Sequence, residues 1–208
     1  MQIEFRRMSQ FARKTLALIA TTGLLTACSW LNPPASTPES SSSQVNSSPS
    51  ASTPQATSLP VDGTLVAMST GLSCDRIISV TDLYAFNPNY SLDTSRSPKV
   101  GSTAKLLTDF KGVSCSYLNL SSGDVIDVAV AKFDPNSMNK VKELVVKSAQ
   151  PTTALSLPAG SEAFFTREGG NGAVNVVTGN YWVIVSASFA SSAADLHVLA
   201  ETAVKNLK

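Results

Sequence analysis

The chain contains 208 residues, with 16 Lys and Arg against 15 Asp and Glu and one histidine, a formal charge of +1. Residues 1–27 carry four of the basic residues and one acid, so the remaining chain has 12 basic and 14 acidic residues, a charge of about −2. A mildly acidic surface without a basic cluster argues against nucleic acid as a partner and against adsorption to anionic lipid. One histidine and three cysteines also argue against a transition-metal site, so no cofactor is predicted.

The N-terminus has the three parts of a lipoprotein signal peptide. A basic stretch ends at Lys14, an apolar run follows at 15–25, and small residues then lead to Cys28. The run is about half of the roughly 20 residues needed to span a bilayer, which argues against a transmembrane anchor. The sequence Leu-Thr-Ala-Cys at 25–28 resembles a lipobox, which implies removal of 1–27 and acylation of Cys28, including a palmitate-type chain. Ordinary signal cleavage with a free Cys28 is the alternative.

Two or three acyl chains on Cys28 would hold the protein stably on a membrane, where a single chain would be marginal. The predicted location is the extracytoplasmic face of the cell membrane, with the membrane as a partner through this lipid. Residues 28–60 are dominated by Ser, Thr and Pro, which predicts a disordered tether with an end-to-end distance of about 30 Å as a flexible coil. Residues 61–208 are predicted to form one domain of ordinary size.

The first part of this domain is predicted to be mostly helix and loop. Thr81 and Asp82 are predicted to cap a short helix that ends before Pro88. Residues 87–104 contain several Asn, Ser and Pro residues, which predicts a long polar loop, and residues 103–110 are predicted to add a helical turn.

The pattern then changes to period two. Residues 113–120 and 125–133 are predicted to form a hairpin around the turn at 121–124. In the second strand, even positions 126–130 hold Ile, Val and Val, whereas odd positions 127–131 hold Asp, Ala and Ala. The even-numbered face is therefore predicted to be the core face.

The second half of the domain combines helices with further strands, which implies an α+β fold in which a few helices cover an antiparallel sheet. Both helices are predicted from apolar residues at helical spacing, and the last is the C-terminal amphipathic helix. The predicted elements are a helix at 137–149, strands at 153–157, 162–167, 173–177 and 181–189, and a helix at 194–207.

Two cysteines remain once Cys28 is set aside. Cys74 and Cys115 are not in metal-ligand spacing, and an exported domain is exposed to oxidising conditions. A disulfide between them is predicted, and it would stabilise the fold by roughly 3–4 kcal/mol on the chain-entropy model.

Short motifs around both cysteines carry a family resemblance over about residues 70–207. The chain resembles a family of small actinobacterial cell-envelope lipoproteins that share a domain of unknown function. In that family Tyr117 is more often Trp, and the turn at 157–160 is tighter. The resemblance implies the location, the disulfide and the fold class, and it carries over no catalytic residues. The motifs are Leu72-Ser73-Cys74-Asp75, Ser114-Cys115-Ser116-Tyr117 and the loop at 157–163.

Candidate catalytic groups are few. His197 lies in the predicted last helix, and there is no nucleophile elbow to pair with it. A glycosidase needs two opposed carboxylates, and solvated turn or strand-end positions explain the same acids. The closest acidic pairs are Asp124 with Asp127 and Glu162 with Glu168.

Aromatic residues give the other candidate site. Tyr181 and Trp182 begin a long strand, and Tyr117, Phe164 and Phe165 lie on other predicted strands, so one sheet face could carry a ligand groove. Core packing explains the same residues. The sequence therefore predicts a membrane-anchored envelope lipoprotein with a non-enzymatic binding or accessory domain, whose partner is an envelope protein, a wall component or an apolar small molecule. The alternative is a carboxylate-based hydrolase acting on cell-wall glycan.

Overall fold

An eight-stranded antiparallel sheet forms the centre of residues 65–207, the part of the chain that the computed structural model describes. The strand order is β2-β3-β4-β8-β7-β6-β5, and β1 pairs with the end of β4 beyond β3. The strands are β1 Ala67–Met68, β2 Tyr90–Leu92, β3 Val113–Asn119, β4 Val125–Phe133, β5 Gln150–Pro151, β6 Glu162–Glu168, β7 Asn171–Thr178 and β8 Tyr181–Ala187.

Five α-helices cover this sheet, and the α+β prediction is confirmed. The second helix begins after Ser79, whose side chain accepts a hydrogen bond from the Asp82 N–H while the Asp82 carboxylate accepts one from the Ser79 N–H. The predicted Thr81–Asp82 cap was therefore placed two to three residues too late. The helices are α1 Cys74–Ile77, α2 Val80–Phe86, α3 Thr103–Asp109, α4 Pro135–Ser148 and α5 His197–Lys205, and a 3-10 helix at Ala193–Asp195 precedes α5.

The two long hairpins follow the predicted pattern. β4 has the predicted bounds, and the turn between β7 and β8 consists of Gly179 and Asn180. Gly179 has φ +52°, a left-handed conformation that glycine adopts without steric cost. This tight turn fixes the register in which Thr178 pairs with Tyr181.

Both faces of the sheet are buried, which corrects the expectation of a single core face. The even residues of β4 face one core, here called the disulfide face, which α1, α2 and α5 cover. Ala129 and Ala131 face a second core, here called the long-helix face, which contains buried residues of α3 and α4. Alanine is only weakly hydrophobic, but it is small enough to lie buried under a helix. The residue types on this face therefore did not indicate that it is buried.

The predicted disulfide is confirmed. Cys74, the first residue of α1, is bonded to Cys115 in the middle of β3, with 5.6 Å between the two Cα atoms. The bond holds α1 against the disulfide face, where Ile77 and Tyr117 are buried.

Two of the predicted loops and strands differ from the structure. The stretch 87–104 contains β2, which pairs with β3 at the sheet edge. No strand forms at 153–157, and β5 lies just before it. Leu155 and Leu157 pack against the disulfide-face core from a loop, so their alternation reflects burial without strand pairing.

The N-terminal predictions, namely the signal peptide at 1–27, the lipidated Cys28 and the tether at 28–60, fall outside the described residues. Within residues 65–207, none of the helices has the length and hydrophobicity needed to cross a membrane.

Candidate functional site

A row of four side-chain positions crosses four strands at one end of the disulfide face. Met68 of β1 pairs with Lys132 of β4, Lys132 pairs with Tyr181 of β8, and Tyr181 pairs with Thr178 of β7. Directly opposed residues in antiparallel strands have Cβ atoms about 4.5–5.5 Å apart, so neighbours in this row are within reach of each other. We call these four residues the cross-strand row.

The row places a cation against an aromatic ring. The Lys132 Nζ lies 5.2 Å from the centroid of the Tyr181 ring, and both side chains are half-buried. This geometry is a cation–π contact, which holds the ammonium over the ring and leaves its N–H groups available to an acceptor.

A groove of about 450 Å³ opens above three of these four positions, Lys132, Thr178 and Tyr181. Its walls are Pro158, the β7–β8 turn, and Val204 and Leu207 from the C-terminal end of the chain. The loop that carries Pro158 is held in place, because the Ser161 N–H donates to the Pro158 carbonyl at 3.1 Å.

Two further contacts tie this loop to its surroundings. The hydroxyls of Ser161 and Thr178 are 2.8 Å apart, and the Ser156 N–H donates to the Glu201 carboxylate of α5 at 2.7 Å. The groove therefore lies between fixed elements and not in a loop that is free to close.

The lining combines one positive charge with apolar walls. Among the described residues that line the groove, Lys132 is the one charged side chain, and the ring of Tyr181 and the side chains of Val204 and Leu207 supply apolar surface. Such a site suits an amphipathic ligand whose negative group meets the ammonium while its apolar part lies along the walls.

The structure separates the three aromatic residues predicted to form one groove. Tyr181 lies in the groove, but Trp182, its neighbour on β8, points to the long-helix face and is fully buried. There its indole N–H donates to the Asn175 side chain at 3.0 Å. Tyr117 is buried in the opposite core. The prediction of a groove shared by Tyr117, Tyr181 and Trp182 is therefore wrong in its arrangement, because successive strand residues face opposite sides of the sheet.

Tyr117 has an unusual environment within the disulfide-face core. Its side chain is 2 % exposed, and its hydroxyl has no hydrogen-bond partner among the described residues. Burial, with a smaller contribution from the negative charge of Asp75, raises the pKa of the Tyr117 hydroxyl well above its usual range.

The first predicted acidic pair lies on opposite sides of the sheet. The Asp127 carboxylate accepts a hydrogen bond from Ser116 on the long-helix face. Asp124 accepts one from Ser122 in the β3–β4 turn. Burial, with a smaller contribution from the Asp124 charge, raises the pKa of Tyr90, which belongs to the other core.

The second pair shares a face but is too far apart for glycosidase chemistry. Glu162 and Glu168 are six residues apart on one strand, about 20 Å, whereas glycosidase carboxylates lie about 5–10 Å apart. Glu162 pairs with Lys142, and Glu168 accepts hydrogen bonds from the N–H and hydroxyl of Thr103, both at 2.7 Å.

His197 also makes a local contact, since its Nδ1 lies 2.6 Å from the Ala194 carbonyl one turn earlier. Within residues 65–207, no three His, Cys, Asp or Glu side chains are grouped as metal ligands.

A second cavity of about 290 Å³ lies beside α3. Its charged groups already have partners, because Lys105 pairs with Asp109 and Glu168 binds the first residue of α3. The groove above the cross-strand row is therefore the better candidate for a ligand.

Sequence reasoning missed Lys132 and Thr178, both of which the structure brings to Tyr181. A signal for Lys132 was present, because it occupies an even position of β4, where the preceding even residues are apolar and face the core. A lysine that continues an apolar face lies at its end, where the stem can pack and the ammonium can reach the surface.

Comparison with known proteins adds no assignment, because neither a protein-family model nor a curated protein matches this chain. The site is therefore interpreted from its own geometry.

Proposed function

We propose that this protein is a lipid-anchored protein of the cell envelope whose folded domain binds an amphipathic acid in the groove above the cross-strand row. The observation that carries the proposal is the position of Lys132, a half-buried cation over the Tyr181 ring in an otherwise uncharged and largely apolar lining. A charged ligand group would bind the ammonium through charge-assisted hydrogen bonds, worth about 1.5–3 kcal/mol.

The proposed location rests on the N-terminal sequence and is consistent with the disulfide. The Leu-Thr-Ala-Cys motif at 25–28 and the Ser/Pro-rich stretch after it are typical of lipoprotein precursors. The Cys74–Cys115 bond is typical of oxidising compartments, which include the outer face of a bacterial membrane.

Binding is favoured over wall-glycan hydrolysis by the arrangement of the acids. The two pairs named by the sequence are divided between faces or separated by about 20 Å, and each carboxylate has a local structural partner. The geometry supplies a specific reason for binding at Lys132 and none for hydrolysis at these acids.

The test is a binding titration on the mature chain. A Cys28→Ser chain behind an ordinary secretory signal keeps the whole mature sequence in solution, and calorimetry with decyl phosphate below its micellar concentration measures the affinity. We expect Lys132→Gln to weaken binding about tenfold or more, because it removes the charge-assisted contact. Lys99→Gln is the matched control, since Lys99 is exposed and lies beside Gly169 at the β6–β7 turn. Equal affinity in both variants would contradict the proposal.

The hydrolase alternative is tested separately by replacing the acids and His197 one at a time. Each variant is assayed for decyl phosphate binding and for the cellular phenotype that the intact protein supports. A melting curve is recorded for each variant beside these measurements. We expect all five to retain function. Loss of function from one carboxylate change at an unchanged melting temperature would favour the hydrolase. The replaced residues are Asp124, Asp127, Glu162, Glu168 and His197.

A further inference from the structure

The first described residues are fixed at the end of the sheet that carries Lys132. The Val66 N–H donates to the Ser137 hydroxyl at 2.8 Å, and the Asp134 N–H donates to the Val66 carbonyl at 3.1 Å. Two residues later, Met68 pairs with Lys132 as the first member of the cross-strand row. The 64 preceding residues therefore join the domain at the end that carries the groove.

This point of attachment bears on the distance between the groove and the anchoring membrane. Thirty-six residues, 29 to 64, separate the proposed lipid on Cys28 from Leu65, and their Ser/Thr/Pro-rich composition predicts an end-to-end distance of about 30 Å. A domain of this size has a radius of gyration of about 14 Å, so a site on the opposite side would lie about another 30 Å away. The groove end, where the described chain begins, is therefore nearer to the proposed lipid along the chain than the opposite end of the domain.

Exposed apolar side chains lie next to Lys132 at this end of the sheet. Met68 of β1, the pairing partner of Lys132, is 42 % exposed, and Val66, just before β1, is 56 % exposed. Exposed apolar side chains beside a single ammonium match the boundary between lipid headgroups and acyl chains, where apolar and charged groups meet within a few ångströms.

We propose that the groove takes up an acidic lipid directly from the membrane that carries the anchor, an inference that rests on the proposed function. The Lys132 ammonium receives the headgroup phosphate, and the methylenes that follow it lie against Val204 and Leu207. One lysine strengthens binding to an anionic surface only about fivefold, so adsorption of the domain to the membrane does not account for ligand delivery. The proposed lipid anchor would bring the domain close to the membrane instead, because a linker that behaves as its composition predicts gives an effective concentration of about 1 mM.

The experiment uses photoactivatable lipid in vesicles. The mature lipidated chain is reconstituted into phosphatidylcholine vesicles that contain phosphatidylglycerol with a photoreactive group in the acyl chain, and cross-linked peptides are mapped after illumination. We expect cross-links at the groove walls and at Met68. Lys132→Gln should reduce them about tenfold, and Lys99→Gln should leave them unchanged.

Two further arms identify the source and nature of the lipid. Mature chain with Cys28→Ser, added at micromolar concentration to the same vesicles, should cross-link about 100-fold less, because it lacks the effective concentration that the tether provides. Vesicles in which the photoreactive lipid is phosphatidylcholine should give few groove cross-links, since their headgroup is not an acid.

The outcomes separate this inference from the proposed function. Cross-links that spread over the whole surface, or that do not depend on Lys132, overturn the lipid site. Decyl phosphate binding without groove cross-links from the vesicles leaves the proposed function standing and overturns uptake from the membrane. Failure of both assays overturns both proposals.

Discussion

Replacing Tyr117 with phenylalanine is expected to stabilise the protein. The ring lies in the disulfide-face core with 2 % exposure, and its hydroxyl has no hydrogen-bond partner among the described residues. Burying a hydroxyl without a partner costs about 1–3 kcal/mol relative to solvation in water. Phenylalanine keeps the ring and removes that cost, at the expense of a void no larger than one oxygen atom.

The expected gain in the free energy of unfolding at pH 7 is about 1 kcal/mol, because small losses in packing offset part of the desolvation cost. For a domain of this size, that gain raises Tm by roughly 3 °C.

A second consequence concerns pH. Burial first, and the Asp75 charge second, raise the pKa of the Tyr117 hydroxyl above its unfolded value of 10.0. The native protein resists losing this proton, so the contribution of Tyr117 to stability is fully present below pH 10 and is lost as pH rises above it. Each unit above pH 10 lowers the unfolding free energy of the wild type by up to about 1.4 kcal/mol relative to the phenylalanine variant.

Urea titrations of both proteins with the disulfide intact, at pH 7 and at pH 11, test both statements. Burial also raises the pKa of Tyr90, but Tyr90 is present in both proteins and cancels in the difference. The variant should be the more stable protein at pH 7, and its advantage should grow by about 1 kcal/mol at pH 11. A variant less stable than the wild type, with the same difference at both pH values, would show that the hydroxyl has a favourable partner.

Three further predictions concern other residues. Cys28→Ala should leave full-length precursor in the membrane fraction by intact mass, and maturation at residue 28 in that variant would contradict the lipoprotein prediction. Replacing Cys74 and Cys115 together with serine should cost about 4 kcal/mol in urea titrations, because the bond closes a loop with a sequence separation of 41; a cost below about 1 kcal/mol would argue against this entropic account. Gly172→Ala should destabilise by about 1–3 kcal/mol, since its Cβ would lie 2.2 Å from the Ala190 carbonyl oxygen; an unchanged Tm would contradict that close approach.

The sequence predicted the local pattern of the sheet well. The period-two alternation of 125–133 placed β4 with its observed bounds and identified one of its buried faces. The pairing of Cys74 with Cys115 followed from the small number of cysteines, once Cys28 was assigned to the lipid. These features depend on residue type and on spacing along a single segment, which a sequence displays directly.

The predictions that failed concern elements whose structure depends on distant parts of the chain. β2 forms in a polar stretch because the edge of β3 is available to pair with it, and Leu155 and Leu157 are held in a loop by the core of the disulfide face. Neither outcome is encoded in the local pattern. Strand pairing with a distant neighbour determined the first outcome, and side-chain packing against a distant core determined the second.

The candidate site was predictable only in part for the same reason. The sequence by itself determined that Tyr181 and Trp182 face opposite sides of one strand, since alternation is a property of the strand alone, and the predicted shared groove overlooked this. Only the tertiary structure decided that Tyr181 shares a row with Lys132, which lies 49 residues earlier, and with Met68 of β1. Register between strands far apart in sequence is set by turns and by the burial of whole faces, and a shift of one residue would have turned Lys132 to the other side of the sheet.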